Sequence, residues 1–550
     1  MSGNHRNPRI WQWLGGALIL SVCLHAGAAL ADDTGAEWRL GGKNKHNTRY
    51  NETENTINVN NVKNLKQKWA FTTHGDVSAT PTVQGDSVYA VDWGGYLYSI
   101  KKDTGVPNWS AQIKTYTGNT VGSVSRTSPA ISGDNIIIGD QGDLTSGGLP
   151  QGGGQTASVM AINKYTGALV WRTVVSDHPF SCITSSPCVH NDVVYVGVAS
   201  LEENGGFIPG YTFSYRGRVM ALDANTGSAV WKQPFITISD SAYAAGFVGA
   251  SIWGSTPVVD EVRNTLFVGT GNNYSAPAGY TSPGGLPSPD DDHFDSILAL
   301  DLATGNLKWH FRAWNGDKWD VFTWEVLDGE PVYTYPSNTA LGPDWDFGSG
   351  PNLITRPDGN QFIGCGAKSG IYYCLNPDTG SVVWKTQVGP GGTGGGIEWG
   401  SATDGTHIYS AVSNSSDLVV PQFGATYTGG LWAAVNTATG HIDWQTADPL
   451  GGHDYGMVSL ANGVVYAASA GNPINAAYPA GAPGGFFALD ANTGRILWQF
   501  TIANDPAMGS SICGPSIVDG TVYWGSGYSH LFNAFGISGL APKLYAFSLP

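Results

Sequence analysis

Glu202, Asn272 and Asp320 are hard oxygen donors of the kind a calcium ion takes. Each stands at the end of a short apolar run: "VYVGVASLEE", "FVGTGN" and "KWDV". Arg126 in "SRTSPAI" and Lys368 in "FIGCGAKSG" add two cations suited to an anionic ligand. Trp253 in "ASIWGSTPVV" offers a flat face for a planar ring, and Thr184 in "ITSSPCV" adds a hydroxyl. A planar polyanion held beside a calcium ion satisfies all of these groups at once. Singly, each residue has a plainer role. Asn272 after Gly271 suits a positive-φ turn, Arg126 and Lys368 suit solvent, Asp320 suits a loop cap, and Glu202 has Glu203 beside it. The site therefore depends on an architecture that gathers residues spread over more than 240 positions.

That architecture is legible in a repeat. The string Thr-Gly-x-x-x-Trp occurs seven times, ending at Trp109, Trp171, Trp231, Trp309, Trp384, Trp444 and Trp498. An eighth tryptophan, Trp69, stands alone in "LKQKWAF". Alternating strands such as "VMALDAN" and "FFALDAN" precede the Thr-Gly pairs, so Thr-Gly reads as a hairpin turn with the Trp on the outer strand beyond it. One unit spells out four strands: "TSPAI", "NIIIGD", "SVMAIN" and "ALVWRT". Four-stranded sheets of this kind bury both faces by packing radially, which predicts an all-β, eight-bladed β-propeller of antiparallel blades. The first outer strand has no inner strands before it, and the last unit, ending "KLYAFSLP", has no Trp. Each end supplies what the other lacks, so the N-terminal strand is expected to close the ring.

In such a blade, with strands A to D from axis to rim, the start of A and the ends of B and D lie on one face. Arg126, Thr184 and Trp253 precede A strands, Glu202, Asn272 and Lys368 follow B strands, and Asp320 follows a D strand. All seven converge on one mouth of the axis.

The chain is 550 residues long, rich in Gly, Trp and Tyr and only 13% charged. These numbers suit a compact β protein rather than a disordered one. A net charge of −16 without a Lys/Arg cluster excludes nucleic acid as a partner. Residues 1–31 read as an export signal: Arg6 and Arg9, an apolar run to Leu24, and small residues Ala29 and Ala31 before Asp32. The expected mature unit is then a single propeller of residues 32–550, periplasmic and without a membrane span. Cys182, Cys188, Cys365, Cys374 and Cys513 remain, with Cys182 and Cys188 nearest in sequence. Export permits disulfides, and the odd number leaves at least one thiol unpaired. No CxxCH string occurs, which excludes covalent c-type haem in this chain.

The Thr-Gly-x-x-x-Trp repeats, "GTGN" and the strand-end Glu resemble the quinoprotein alcohol dehydrogenases over nearly the whole mature chain. The strings "SLEE", "GPDWDFGSGP" and "GGTGGGIEWGSATDG" are most similar to the polyvinyl alcohol dehydrogenase branch. The resemblance implies pyrroloquinoline quinone (PQQ) and Ca²⁺ near the axis. Glu202, Asn272 and Asp320 would hold the calcium, Trp253 would lie under the quinone, Arg126 and Thr184 would meet its carboxylates, and Lys368 would sit beside its oxygens. The family's aspartate base matches two positions. Asp320 has the spacing from the repeat, and Asp346 in "GPDWDFG" leads into the next strand. The implied chemistry is proton transfer from an alcohol, secondary or polymeric, to that Asp, with hydride passing to the quinone. Electrons would pass onward to a separate, soluble cytochrome c. The competing expectation is a non-catalytic scaffold for protein assembly, which shares the repeat but needs no such site.

Overall fold

Six of the seven Thr-Gly hairpins are closed by the same local chemistry, an Asp or Asn side chain three residues before the Thr, with Lys101 in that place in the first. Asp301 ends a strand, and its Oδ1 accepts hydrogen bonds from the backbone N–H groups of Ala303 and Thr304 and from the Thr304 hydroxyl. Gly305 follows at φ +76°, a left-handed conformation that glycine adopts without steric cost. A Cβ at Gly305 would lie 2.6 Å from the Trp231 ring of the preceding blade. The Trp231 Nε1 donates to the Leu302 carbonyl of the same turn at 3.0 Å. The joint recurs from Trp69 to Lys102, Trp109 to Lys164, Trp171 to Ala224, Trp309 to Pro377, Trp384 to Thr437 and Trp444 to Ala491. Thr-Gly and Trp are thus the two halves of one contact between neighbouring blades.

These joints link eight four-stranded antiparallel blades in the computed structural model. It describes residues 1, 37–119, 122–143, 150, 156–208, 210–277, 288–319, 326–327, 330–331, 344–472, 484–528 and 542–550. The innermost strands of blades 1 to 4 are Thr82–Gln84, Ala130–Ser132, Cys188–His190 and Val258–Asp260. Those of blades 5 to 8 are Asn352–Thr355, Ala402–Thr403, Ser459–Ala461 and Ser516–Val518. Blade 8 takes its outer strand from the other end of the chain: Lys66–Thr72 pairs antiparallel with Lys543–Ser548. Trp498 completes the circuit by donating to the Leu65 carbonyl at 3.3 Å. The eight-bladed ring closed by an N-terminal strand is the architecture the repeat implied.

The hydrophobic cores lie between the sheets. One cluster joins blades 8 and 1 through Trp38, Val88, Tyr98, Trp524 and Phe547, and another joins blades 2, 3 and 4 through Val159, Val196, Leu222 and Leu298. A segment ahead of the first blade works at the axis. Trp38 pairs with Val83 of blade 1. The carbonyls of Arg39, Lys45, His46, Thr48 and Arg49 accept from Ile131, Val259, Leu353, Thr403 and Leu460, in blades 2, 4, 5, 6 and 7. Six inner strands are tied by one stretch of chain.

The five described cysteines are all buried free thiols, so Cys182 and Cys188 are not bridged. No helix among the described residues is long and apolar enough to cross a membrane. The expected signal (residues 1–31, all but Met1), Asp320 and residues 278–287 lie outside the described residues.

Candidate active site

Lys368 is the centre of the axial mouth. It follows the B strand of blade 5, Gln361–Gly366. Its Nζ lies 3.1 Å from Asp344 Oδ2 and 3.2 Å from Asp346 Oδ1, and 5.0 Å from the Trp253 ring centre. Burial opposes its charge, but the carboxylates of Asp344, Asp346, Glu398 and Glu203 outweigh burial and raise the ammonium well above its ordinary range. The lysine is therefore a fixed cation.

Asp346 is held from the other side. It precedes the A strand of blade 5, and its Oδ2 accepts from Trp253 Nε1 at 2.6 Å. Its Oδ1 is buried with no hydrogen bond, only the Lys368 ammonium nearby. Glycine makes the close packing possible: a Cβ at Gly271 would meet Asp346 Oδ2 at 2.9 Å and Trp253 Cδ1 at 3.1 Å. Thr184 anchors the same tryptophan from blade 3, donating to the Trp253 carbonyl at 2.6 Å. The loop carrying Asp344 and Asp346 is pinned from below by Asp317, which accepts from the Asp344 N–H at 3.1 Å and the Trp345 N–H at 2.7 Å. Asp317 acts in turn on Asp295, fully buried, whose carboxyl is pushed well above its ordinary value by burial and by the charge of Asp317.

Trp399 faces Trp253 edge-on, with ring centres 5.1 Å apart and planes at 81°. It lies at φ +62°, an uncommon backbone for an aromatic residue, of the sort held in place at functional sites. The Arg126 guanidinium lies 4.0 Å over the Trp399 ring and donates to the Tyr528 hydroxyl at 3.4 Å. Among the described residues Arg126 makes no ion pair. A small cavity of about 20 Å³, room for one water, is lined by Arg126, Thr184, Thr256, Trp399 and Met457 among others.

The structure therefore brings together Arg126, Thr184, Trp253, Asp346 and Lys368 from four blades. Asn272 joins them through Gly271, and its Nδ2 donates to the carbonyls of Asn273 and Trp319, both at 3.0 Å, leaving Oδ1 as its free acceptor. Glu202 is placed differently. Its carboxylate oxygens are taken up by its own loop: Oε1 accepts from the Tyr211 hydroxyl and the Ser214 N–H, both at 2.8 Å, and Oε2 from the Tyr215 N–H at 2.7 Å. His178 Nε2 stands 3.1 Å from Oε1. Burial works against its charge, but His178 and these donors hold the carboxyl below its ordinary value. Its neighbour Glu203 is the one whose charge acts on Lys368 and Asp344.

Glu203, Asp344, Glu398 and Trp399 escaped sequence reasoning. A signal for Trp399 existed, because "WGS" occurs at both Trp253 and Trp399, each shortly before an A strand. Nothing marked Asp344 or Glu203 apart from their neighbours.

The donor chemistry fits both an anionic planar cofactor and a hard cation. Arg126 is a partly buried cation without an ion pair among the described residues, two indoles flank the pocket, and Asp344 Oδ1 and Asp346 Oδ1 are buried oxygens without hydrogen bonds among those residues. No three His, Cys, Asp or Glu side chains among the described residues form a metal cluster on their own. A cation here would need the Asn272 amide and oxygens of the cofactor.

Comparison with known proteins agrees with this geometry. Residues 38–323 match the PQQ family described as the glucose/ethanol/alcohol dehydrogenase β-propeller domain, and residues 367–539 match a family described as outer membrane protein assembly factor BamB. A polyvinylalcohol dehydrogenase of Sphingopyxis sp. (strain 113P3) is 28% identical over 90% of this chain and 74% of its own. A second, from Pseudomonas sp, is 26% identical over 90% of this chain and 73% of its own. In fold the chain is similar to a europium-containing methanol dehydrogenase, with a TM-score of 0.67 and 17% identity over 94% of this chain and 99% of that one.

Proposed function

The chain belongs to the PQQ β-propeller family of glucose, ethanol and alcohol dehydrogenases, and we propose that its axial mouth oxidises secondary or polymeric alcohols with PQQ and Ca²⁺. The observation that carries this reading is the Asp346 carboxylate clamped between Trp253 Nε1 and Lys368 Nζ. When bound, PQQ supplies the two-electron acceptor and calcium the Lewis acid that polarises it. Arg126 and Thr184 would meet the cofactor's carboxylates, and Trp253 and Trp399 its ring. Asn272 Oδ1 and Glu203 would hold the cation, with Glu202 setting the loop behind them.

The chain's own part of the chemistry is proton transfer. Trp253 occupies Asp346 Oδ2, so Oδ1 is the oxygen that accepts the hydroxyl proton of the alcohol. Lys368 Nζ stands beside that carboxylate as its counter-ion at 3.2 Å, and the two indoles and the glycine packing close around it. Asp320 is the other candidate base.

The test is reconstitution of the purified chain with PQQ and Ca²⁺ and a dye-coupled assay on propan-2-ol. Asp346→Asn is expected to lower kcat by about 10²–10⁴-fold while quinone binding persists. A comparable loss in Asp320→Asn with an active Asp346→Asn enzyme would reverse the assignment, and absence of quinone binding would reject the reading. The export signal expected over residues 1–31 supports a periplasmic enzyme, and a soluble cytochrome c is the proposed electron acceptor. N-terminal sequencing of the secreted chain should begin at Asp32.

The match of residues 367–539 to an assembly factor supports a second reading, a scaffold for other proteins. A scaffold has no use for a buried lysine between two aspartates. An active reconstituted enzyme with no effect of gene loss on outer-membrane assembly separates the two.

A further inference from the structure

Oxidising an alcohol to a carbonyl releases two electrons and two protons. The electrons leave with the acceptor, but Asp346 is buried, so the protons need a route to water. A series of hydrogen bonds outside the site described above has the right groups. It lies on the mouth face of blades 6 and 7. There the loops after the B strands His407–Val412 and Val464–Ser469 meet the stretch leading into the A strand Ser459–Ala461.

His453 is buried at its centre. Its Nε2 stands 3.0 Å from Asp417 Oδ1, and its Nδ1 stands 3.4 Å from the Tyr455 hydroxyl. A carboxylate only accepts, so Nε2 carries the ring hydrogen and Nδ1 accepts from the phenol. Asn472 Nδ2 donates to the same Asp417 oxygen at 3.1 Å and fixes its position. Asp448, the other carboxylate that interacts with His453, is occupied by the Ser469 hydroxyl and the N–H groups of Leu450 and Gly452. The hydrogens therefore point outward in series, from Tyr455 to His453 to Asp417, and the Asp417 side chain is 43% exposed.

The inner end reaches the charged centre. Tyr455 shares an apolar cluster with Tyr528, and Trp399 packs against that cluster. A Cβ at Gly394 would stand 3.4 Å from the Tyr455 hydroxyl, and one at Gly395 would stand 2.7 Å from Glu398 Oε1. Phenol and carboxyl thus lie against consecutive glycines. Burial, and next the Glu398 charge, raise the phenol above its ordinary range, so Tyr455 gives up a proton only as it takes another. Burial pushes Glu398 up to about 8, against the pull of Lys368, so this carboxyl takes and gives a proton near neutral pH.

We propose that Tyr455, His453 and Asp417 form a relay that carries the protons of alcohol oxidation from Glu398 to solvent. The relay rests on the alcohol-oxidising reading and adds the route by which the protons of that reaction leave. Glu398 protonates the Tyr455 oxygen as the Tyr455 proton passes to His453 Nδ1, and the Nε2 hydrogen passes to Asp417 and on to water. Each member gives one proton as it takes one, and the phenol and imidazole reorient before the next passage.

Nitrogen NMR of the full chain labelled at histidine, before PQQ is added, tests the geometry without turnover. The signals lost in His453→Gln are expected to report a protonated Nε2 and a bare Nδ1. The opposite tautomer overturns the proposal. Holoenzyme reconstituted with PQQ and Ca²⁺ tests transport. It is reduced with propan-2-ol, freed of alcohol and mixed with ferricyanide, whose absorbance follows the electrons while a pH dye follows the protons. In the wild type the two signals are expected to advance together. In Tyr455→Phe, which keeps the ring, and in His453→Ala, protons should appear at least about tenfold more slowly. Added imidazole should restore the His453→Ala rate. Unchanged proton release in Tyr455→Phe, or a His453→Ala defect that imidazole leaves untouched, overturns the relay while the enzyme reading stands. A wild type that does not oxidise propan-2-ol overturns the enzyme reading, and the relay with it.

Discussion

Adjacent glutamates at the end of one strand do opposite things. Glu202 is fully buried and saturated with donors from residues 211–215, while Glu203 acts on the charged centre. Glu202→Gln leaves a buried N–H₂ facing donors and should cost about 1–3 kcal/mol of stability, read by urea denaturation. Glu203→Gln should leave stability nearly unchanged and raise the calcium concentration for half-maximal reconstitution at least about tenfold. The reverse pattern would put the ligand back at Glu202. Glu398 makes a second case at this scale. Burial pushes its carboxyl up to about 8, against the pull of Lys368. Between the unfolded value and about 8 the folded chain holds a proton that the unfolded chain has released, so this group lowers stability as pH rises through that window. Glu398→Gln should accordingly raise Tm at pH 8, by at most about 5 kcal/mol of stability, and change nothing at pH 4. A stabilisation equal at both pH values would refute it.

At the scale of the element, the hairpin turn and the rim tryptophan form a single device. The turn needs a left-handed residue without a Cβ, and the neighbouring indole needs the space and the carbonyl. Gly305→Ala meets both objections, a φ of +76° and a Trp231 ring at 2.6 Å. Gly133→Ala meets only the first, at φ +55° with nothing within 4 Å. The Gly133 variant should lose about 1 kcal/mol and the Gly305 variant clearly more, about 2–3 kcal/mol, in guanidinium unfolding. Equal losses would mean that the indole contact carries no stability. The same economy shapes the site: Gly271 lets a strand end pass under Asp346 and Trp253.

Across the whole molecule, the two chain ends complete each other. The outer strand Lys66–Thr72 closes blade 8, and the residues before it tie six inner strands at the axis. Arg49 is the strongest of these ties. It is fully buried, with donors to Gly41, Thr80, Val458 and Ser459, and burial lowers its pKa to about 10. Removing residues 37–72 should therefore open the ring. The shortened chain is expected to lose its single cooperative unfolding transition and to bind a hydrophobic dye, and full cooperativity without those residues would refute closure as the source of stability. Propeller geometry also explains why one mouth can be rich in charge. Even blade 5, which supplies Asp344, Asp346 and Lys368, places them at the ends of two different strands, so the charges are shared among several strand ends.

How much of this was legible without coordinates follows from what each feature depends on. Blade number, closure and the face shared by Arg126, Thr184, Trp253 and Lys368 follow from local turn chemistry and the alternation of strands. Those are properties of neighbouring residues, so the amino-acid order alone determined them. Which of Glu202 and Glu203 acts on Lys368, why Asp344 and Glu398 join it, and how Asp317 braces the loop of Asp346 depend on groups 20 to 200 residues apart meeting at a buried axis. Only the tertiary structure decided these, because the orientation and charge of a buried carboxyl are set by the donors, ions and burial that surround it in space.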